Sequence, residues 1–246
     1  MLRSPFILIA IVAMCSWHAS AQTIVINEIL SVNDRAMRDP IGDFDDYVEL
    51  FNAGKSAVSL AGYFISDNKD TLNKCRIPAG VSVPSGGYLL IWLDAEMDQE
   101  GIHCPFKLNA KGERILLSDP SLNKLDEINL KRQFADVSFG RLPSGGTEWQ
   151  YIPPTPAAAN TRGAVLGIDR SKKGQKIKVS AAASKDKILV EIPKEGKLAY
   201  RVIDKEQKVH LKGVVAIKGE ISLTSLANGR YKLLIGKNEY RILKQN

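Results

Sequence analysis

From residue 188 to the end of the chain, apolar side chains return at every second position. Ile188, Val190 and Ile192 form one such row, and Leu198, Tyr200 and Val202 a second. Ile221 and Leu223, then Tyr231, Leu233 and Ile235, then Tyr240 and Ile242, continue it. A period of two is the period of a β-strand, so each row lies on one strand face while Lys187, Arg201, Lys232 and Arg241 occupy outward positions. The pattern predicts a half-buried antiparallel sheet with a solvated, basic outer face. Residues 176–246 amount to about 70, enough for a small second sandwich.

Residues 22–160 are also strand-like, in shorter pieces. β-rich runs at 23–30, 47–51, 62–65, 88–93, 114–118 and 126–130 are separated by turn signals such as Pro84-Ser85-Gly86-Gly87 and Asn109-Ala110-Lys111-Gly112. No long segment keeps a helical period, so an antiparallel sandwich or barrel is expected. In the run 47–51, Tyr47 and Phe51 flank Glu49 on one face and Val48 and Leu50 take the other. Leu60 and Tyr63 are expected core residues around a bend at Gly62, and Asn52-Ala53-Gly54 a turn whose glycine holds positive φ. Pro78-Ala79-Gly80 is expected to close a strand. Pro153-Pro154-Thr155-Pro156 and three alanines end this domain, with a linker expected at 161–175.

The first 21 residues read as an address. Arg3 precedes an apolar run of ten at residues 6–15, and Ala19-Ser20-Ala21 supplies a small-x-small cleavage pattern. Ten residues of helix span about 15 Å, short of a bilayer core of about 30 Å. A cleaved secretory signal is expected, and no transmembrane helix after it. Cleavage removes Cys15 and His18, leaving Cys75, Cys104, His103 and His210. Two cysteines in an exported protein favour a Cys75–Cys104 disulfide worth roughly 2–4 kcal/mol, the alternative being two buried thiols.

Hydrophobic residues at 44% and charged residues at 25% exclude a disordered chain. The net charge of +7 invites a nucleic-acid reading until it is located. Residues 22–162 sum to −5 and residues 163–246 to +11, with Arg3 supplying the remainder. The positive charge is confined to the second domain and its linker, where aromatic stacking platforms are sparse, which argues against nucleic acid as partner. Outward basic residues also guard a small sheet against edge-to-edge aggregation.

An ordered set of short motifs runs through residues 23–160. Asn27-Glu28-Ile29 is followed by Asp46-Tyr47-Val48-Glu49-Leu50-Phe51-Asn52, Leu60-Ala61-Gly62-Tyr63 and Ile77-Pro78-Ala79-Gly80. Phe106-Lys107-Leu108-Asn109, Leu116-Leu117-Ser118-Asp119, Gly140-Arg141-Leu142-Pro143, Trp149, Thr155-Pro156 and Asn160 complete it. In order and spacing this resembles the lamin-tail domain, an immunoglobulin-like β-sandwich that also occurs in exported bacterial proteins. The resemblance implies an adhesive or scaffolding module rather than a catalyst, and gives Asn27, Glu28, Glu49, Asn52, Gly62, Gly140, Arg141 and Pro156 structural roles. The last 60 or so residues resemble the C-terminal sorting domain of the type IX secretion system. The resemblance is carried by Ile221-Ser222-Leu223, Leu226 and Gly229 before Tyr231 (Leu-x-x-Gly-x-Tyr), and the terminal basic strand 240–244. The glycine often found in the preceding turn is missing at Lys205-Glu206-Gln207-Lys208, and so is the Pro-Asn-Pro opening. This second resemblance implies the type IX secretion machinery as partner and the cell surface as destination.

Sharper chemistry finds little support. Asp39, Asp43, Asp45 and Asp46 are candidate calcium ligands, but the EF-hand spacing and its closing glutamate are absent, and a solvated acidic loop is the simpler reading. Glu28 and Glu49 offer a carboxylate pair for acid–base work, though a structural role fits better. His103 beside Cys104 lacks a third partner, and His210 is expected to be an exposed sheet residue. No nucleophile elbow, phosphate loop or zinc-binding helix motif occurs, and no cofactor is implied. The expectation is an all-β, non-enzymatic surface module that binds an unknown surface protein or polysaccharide. The alternative is an accessory of a secreted hydrolase or nuclease with a calcium-binding acidic loop.

Overall fold

A computed structural model of the chain describes residues 23–169, 177–182, 184–192 and 196–246. The expected signal at 1–21 and residues 170–175 of the expected linker lie outside them. The described residues are all-β, with no helix and with sheets that are almost wholly antiparallel. No helix among them is long and apolar enough to cross a membrane.

The first domain holds twelve strands. They are β1 (Ile24–Leu30), β2 (Tyr47–Asn52), β3 (Val58–Ser59), β4 (Phe64–Ser66), β5 (Cys75–Arg76), β6 (Ser82–Val83), β7 (Tyr88–Leu93), β8 (His103–Cys104), β9 (Arg114–Ser118), β10 (Lys124–Asn129), β11 (Ser138–Arg141) and β12 (Trp149–Ile152). A six-stranded sheet in the order β12-β11-β1-β2-β7-β8 faces a four-stranded sheet in the order β10-β9-β4-β5, and β3 pairs with β6. Ile24, Ile26, Val48, Leu50, Ile91 and Leu93 from the larger sheet meet Ile65, Ile115 and Leu117 from the smaller in one apolar core.

A bulge decides which side chains reach that core. The β1–β2 register shifts between Ile26 and Glu28, so Asn27 is an extra residue. Strict alternation would place Glu28 on the face of Ile24 and Ile26. The bulge turns Glu28 to the opposite face and delivers Ile29 to the core instead. That opposite face is not solvated: every residue of β1 is buried, and so are Tyr47 and Glu49. Leu30, Tyr47 and Trp92 form a second apolar cluster there, against which Met37 packs from the 31–46 loop.

Local turn chemistry follows the sequence in part. Gly62 and Gly80 take positive φ, as the bends around them require. Gly54 does not. Its turn depends instead on the missing side chain, because a Cβ would lie 3.0 Å from both Asn52 Oδ1 and Thr23 Cγ2. Asn52 holds the turn by accepting from the Gly54 amide at 2.9 Å and donating to the carbonyls of Ser56 and Val83.

The second domain holds β13 (Val165–Asp169), β14 (Lys178–Ala181), β15 (Lys187–Glu191), β16 (Leu198–Ile203), β17 (Val209–Val215), β18 (Lys218–Ser222), β19 (Gly229–Ile235) and β20 (Asn238–Gln245). A five-stranded sheet, β13-β20-β19-β16-β17, packs on a three-stranded one, β14-β15-β18. The alternating rows fill its core: Ile188, Val190, Val202, Ile221, Leu223, Leu233, Ile235, Tyr240 and Ile242 are all buried. One boundary moves. Residues 165–169, expected within the linker, form a strand paired along its length with β20, since Val165, Leu166 and Ile168 are apolar enough to be buried.

That strand also joins the two domains. Val165 and Leu243 pack into the first domain's core, whereas Leu166, Ile168 and Ile242 serve the second. Gly167 lets β13 come close, since a Cβ there would lie 2.5 Å from Phe134 Cβ. Arg35 Nη2 donates to the Ala181 carbonyl at 2.7 Å and Gln245 Nε2 to the Tyr151 carbonyl at 3.0 Å.

Candidate functional site

Glu28 and Glu49 sit opposite each other on β1 and β2, both fully buried. Two buried carboxylates side by side are costly unless each is hydrogen-bonded. Glu28 accepts from Tyr47 Oη at 2.5 Å, Ser138 Oγ at 2.7 Å and the Thr155 amide at 3.0 Å, as well as from the Thr155 hydroxyl. Glu49 accepts from Asn27 Nδ2 at 2.9 Å and the Ala157 amide at 2.6 Å. Pro156 stands between these two amides, with no N–H of its own to leave unpaired. Ala157 has φ of 57°, a left-handed conformation that an alanine rarely adopts and that here aims its amide at Glu49.

Asn160 closes the arrangement. Its Nδ2 donates to the Asn27 and Arg141 carbonyls at 3.1 and 2.8 Å, and its amide donates to Ser144 Oγ at 2.9 Å. Gly140 makes room for it, because a Cβ would lie 2.7 Å from Asn160 Nδ2 and 2.6 Å from Ile152 Cδ1. The bulged Asn27 accepts from the Gly145 amide at 3.1 Å. The network therefore ties the 144–160 segment onto the outer face of β1 and β2. Burial, opposed by the bonds from Asn27 and Ala157 and aided by the neighbouring Glu28 charge, pushes Glu49 up to about 7. Burial and the Glu28 carboxylate raise Tyr47 well above the usual phenol range. Both oxygens of each carboxylate are already bonded to protein groups, so the pair acts as a fastening.

The open edges of the sandwich are closed in two ways. On one side Arg141 Nη2 meets the Asp126 carboxylate at 2.8 and 3.0 Å. Asp126 also accepts from the Ile26 amide, and Arg141 Nε donates to the Ile26 carbonyl, so both side chains serve the stretch of β1 that lies beyond its β11 pairing. On the other side a Cys75–Cys104 disulfide, with Cα atoms 5.2 Å apart, joins β5 at the edge of one sheet to β8 at the edge of the other. The expected pairing is present, and it excludes a Cys104 thiolate nucleophile.

His103 takes another partner. Its Nδ1 lies 2.5 Å from Asp94 Oδ2 and its Nε2 3.0 Å from the Glu100 carbonyl. Both partners only accept, so both ring nitrogens carry hydrogen and the imidazole is cationic. Burial works against that charge, but the hydrogen bonds to Asp94 and Glu100 outweigh it and raise the pKa. His210 is exposed, with Nε2 2.8 Å from Asp204 Oδ2.

The four candidate calcium ligands do different jobs. Asp39 Oδ1 accepts from the amides of Ile41, Gly42 and Asp43 and nucleates a tight turn. Asp46 is pushed up to about 7 by burial. Asp45 is raised by burial and by the charges of Asp94, Asp39 and Glu96. Among the described residues, no three His, Cys, Asp or Glu side chains come together so as to hold a metal ion. In the second domain Leu226 is buried, Gly229 opens β19, and Tyr231 donates to the Ala227 carbonyl at 3.0 Å. Lys244, in the terminal basic strand, is buried and donates to the Leu226 carbonyl at 2.6 Å.

Residues 18–132 match the family model of the Lamin Tail Domain. The match supports the family resemblance over β1 to β10. The lamin tail domain match ends before β11, yet the fold returns Gly140, Arg141, Pro156 and Asn160 to the same network. No curated protein matches the chain. The lamin-tail fold is an immunoglobulin-like sandwich, a type of fold suited to binding or scaffolding and generally non-enzymatic. Asp126, Tyr47 Oη, Ser138, Ser144 and the Asp94–His103 pair were not legible as site residues. Only Asp126, a charge inside a strand run, leaves a trace in the pattern.

Proposed function

We propose that this protein is an exported, non-enzymatic scaffold of the bacterial cell surface, carried there by its second domain acting as a type IX-like sorting signal. The observation that supports a scaffold most is the use made of the buried carboxylates. Glu28 and Glu49 lock the 144–160 segment to the sheet, giving a rigid body whose acids are spent on architecture. The Leu226, Gly229 and Tyr231 motif and the apolar run at 6–15 support delivery. The partner in export is then the type IX machinery, and the ligand a surface protein or polysaccharide.

Fractionation tests delivery. Cells expressing the full chain should carry it on the surface, and cells expressing a chain ending at residue 160 should retain it inside the outer membrane. Equal surface delivery of both overturns the sorting role. A pull-down from native membranes tests the scaffold role, which fails if no envelope component is retained.

A further inference from the structure

Five of the six large apolar side chains that stand exposed among the described residues fall in two places. Ile41 and Met97 mark one end of the first domain, and Val209, Val214 and Ile217 lie on or beside β17 in the second. Each place has its own charge. The loops at 34–46 and 94–100 meet at the ends of β2 and β7, where the Leu93 amide donates to the Asp46 carbonyl at 2.8 Å. Together they contain nine acidic residues against Arg35 and Arg38, with Asp94 matched by His103 and Glu96 3.9 Å from Lys107. Arg35 is already held by Asp136, and Arg38 lies over the Phe44 ring. Ile41 and Met97 therefore project, both more than half exposed, from a strongly acidic rim.

The second place is basic. On the outward face of the five-stranded sheet Arg201 stands directly opposite Lys212, and Lys232 opposite Arg241. Like charges at facing positions destabilise a sheet; Lys232 is already paired with Glu239 at 3.1 Å, so it is the Arg201–Lys212 pair that favours the approach of negative charge. Val214, two residues from Lys212 on the same face, is 62% exposed. Beyond it β17 is a sheet edge without a further strand among the described residues.

The two patches do not serve each other within one molecule. The acidic loop's Arg35 reaches β14, and the neighbouring Ala135 amide reaches the Ile168 carbonyl on β13. β17 lies four strands across the sheet from β13, about 19 Å at the usual strand spacing. We propose that the acidic, apolar-tipped end of the first domain docks on the basic outward face of the second domain of another copy. The contact is heterologous, so each copy keeps one free patch of each kind and copies join head to tail in open chains. This names the partner in the scaffold reading and rests on that reading.

Sedimentation velocity on the purified chain tests it with two double variants of exposed residues. Glu96→Lys with Asp98→Lys reverses the acidic end, and Arg201→Glu with Lys212→Glu reverses the basic face. The wild-type chain should form concentration-dependent species larger than a dimer at about 0.01 M salt. They should dissolve at about 1 M, as the screening length falls from about 30 to about 3 Å. Each variant alone should be monomeric, its self-association weakened at least about tenfold by like-charge contact. An equal mixture of the two variants should regain species larger than a dimer, since the intact patches complement each other and the two reversed patches do likewise. A wild-type chain that is monomeric throughout overturns the proposal, as does association that survives both variants. Monomeric behaviour alongside capture of a different envelope component overturns self-assembly and leaves the scaffold reading standing.

Discussion

The two sandwiches reach a similar architecture by different means. The second is specified by alternation: its apolar rows point inward and its bases point outward, and its core needs few polar contacts. The first buries Asn27, Glu28, Glu49, Asn52, Asp94, His103 and Asn160 in its interior and fastens its loops with them. A sheet that relies on area alone tolerates many substitutions, because hydrophobic burial is non-directional. A sheet fastened by buried polar groups is intolerant, because each lost partner leaves another group unpaired. The Glu28–Glu49 network, the Arg141–Asp126 pair and the disulfide, which join distant segments, lie in the first.

The largest effect should come from breaking one of those fastenings. Arg141→Ala strands the Asp126 carboxylate, whose side chain is only 10% exposed, and removes donors from the Ile26 and Gly146 carbonyls. A loss of about 3–5 kcal/mol is expected for a buried pair broken on one side. Trp92 and Trp149 both lie in the first domain and the second contains no tryptophan, so fluorescence-detected urea unfolding reads the affected domain selectively. A loss below about 1 kcal/mol would show the pair to be an ordinary surface contact.

Removing the disulfide by a Cys75→Ala, Cys104→Ala double substitution should cost slightly less. The bridge spans 29 residues, for which the chain-entropy argument gives about 3–4 kcal/mol. The same tryptophan signal should show the loss, and hydrogen exchange within β15 and β19 should be nearly unchanged. Equal loosening of β15 and β19 would mean that the domains unfold as one unit.

The pH dependence should separate the regions further. Glu49 is pushed up to about 7 in the folded chain from an ordinary 4.5. Below about 4.5 both states hold the proton, and the stability is fully present. Between 4.5 and 7 the unfolded chain has released it while the folded chain keeps it, so stability falls as pH rises. The loss should approach about 3 kcal/mol for this group. Asp46, also at about 7, and the raised His103 act in the same direction. Asp204 in the second domain, lowered by its hydrogen bond from His210, acts in the opposite one. Urea midpoints of wild type and Glu49→Gln between pH 4.5 and 7 check this, and parallel curves would show that Glu49 does not titrate there.

Legibility follows the same division. Alternation reports which face of a strand is buried, and it placed Ile188, Val190, Leu233 and Ile242 correctly. In the run 47–51 alternation separates the two faces, but it does not show that the 144–160 segment covers the one carrying Glu49. That covering depends on contacts between residues more than a hundred apart, such as Glu28 with Thr155. No local pattern encodes them. The bulge at Asn27 is invisible for the same reason, since only the partner strand reveals an extra residue. β11 and β12 escape the alternation because each is only four residues long and β11 carries Gly140 and Arg141 where apolar residues would be sought.

If the second domain is held by area, trimming its core should be mild. Ile188 is fully buried between β14 and β18. Ile188→Val removes one methylene and should cost about 0.5–1.5 kcal/mol. That is well below the Arg141→Ala loss, although Ile188 is the more deeply buried of the two. Far-ultraviolet circular dichroism during thermal unfolding reports it, and a cost above 3 kcal/mol would place a fastening in the second domain that its hydrogen bonds do not reveal.

The smallest effect should be a gain. Gln207 holds φ of 66° in the exposed turn where Asp204 accepts from the Lys208 amide. A left-handed conformation costs a non-glycine residue about 1–2 kcal/mol, and glycine avoids it at an entropic cost of about 0.5–1 kcal/mol. Gln207→Gly should therefore raise stability by about 0–1 kcal/mol. Ala157 holds a similar φ of 57°, but its amide is bonded to Glu49 behind Pro156. The conformation there is imposed from both sides, so Ala157→Gly should gain the same strain relief while Glu49 keeps its partner. Thermal midpoints of the two variants compare a free turn with a fastened one. A gain at Gln207 with a loss at Ala157 would show that the methyl group of Ala157, and not its backbone alone, helps to hold the 144–160 segment down.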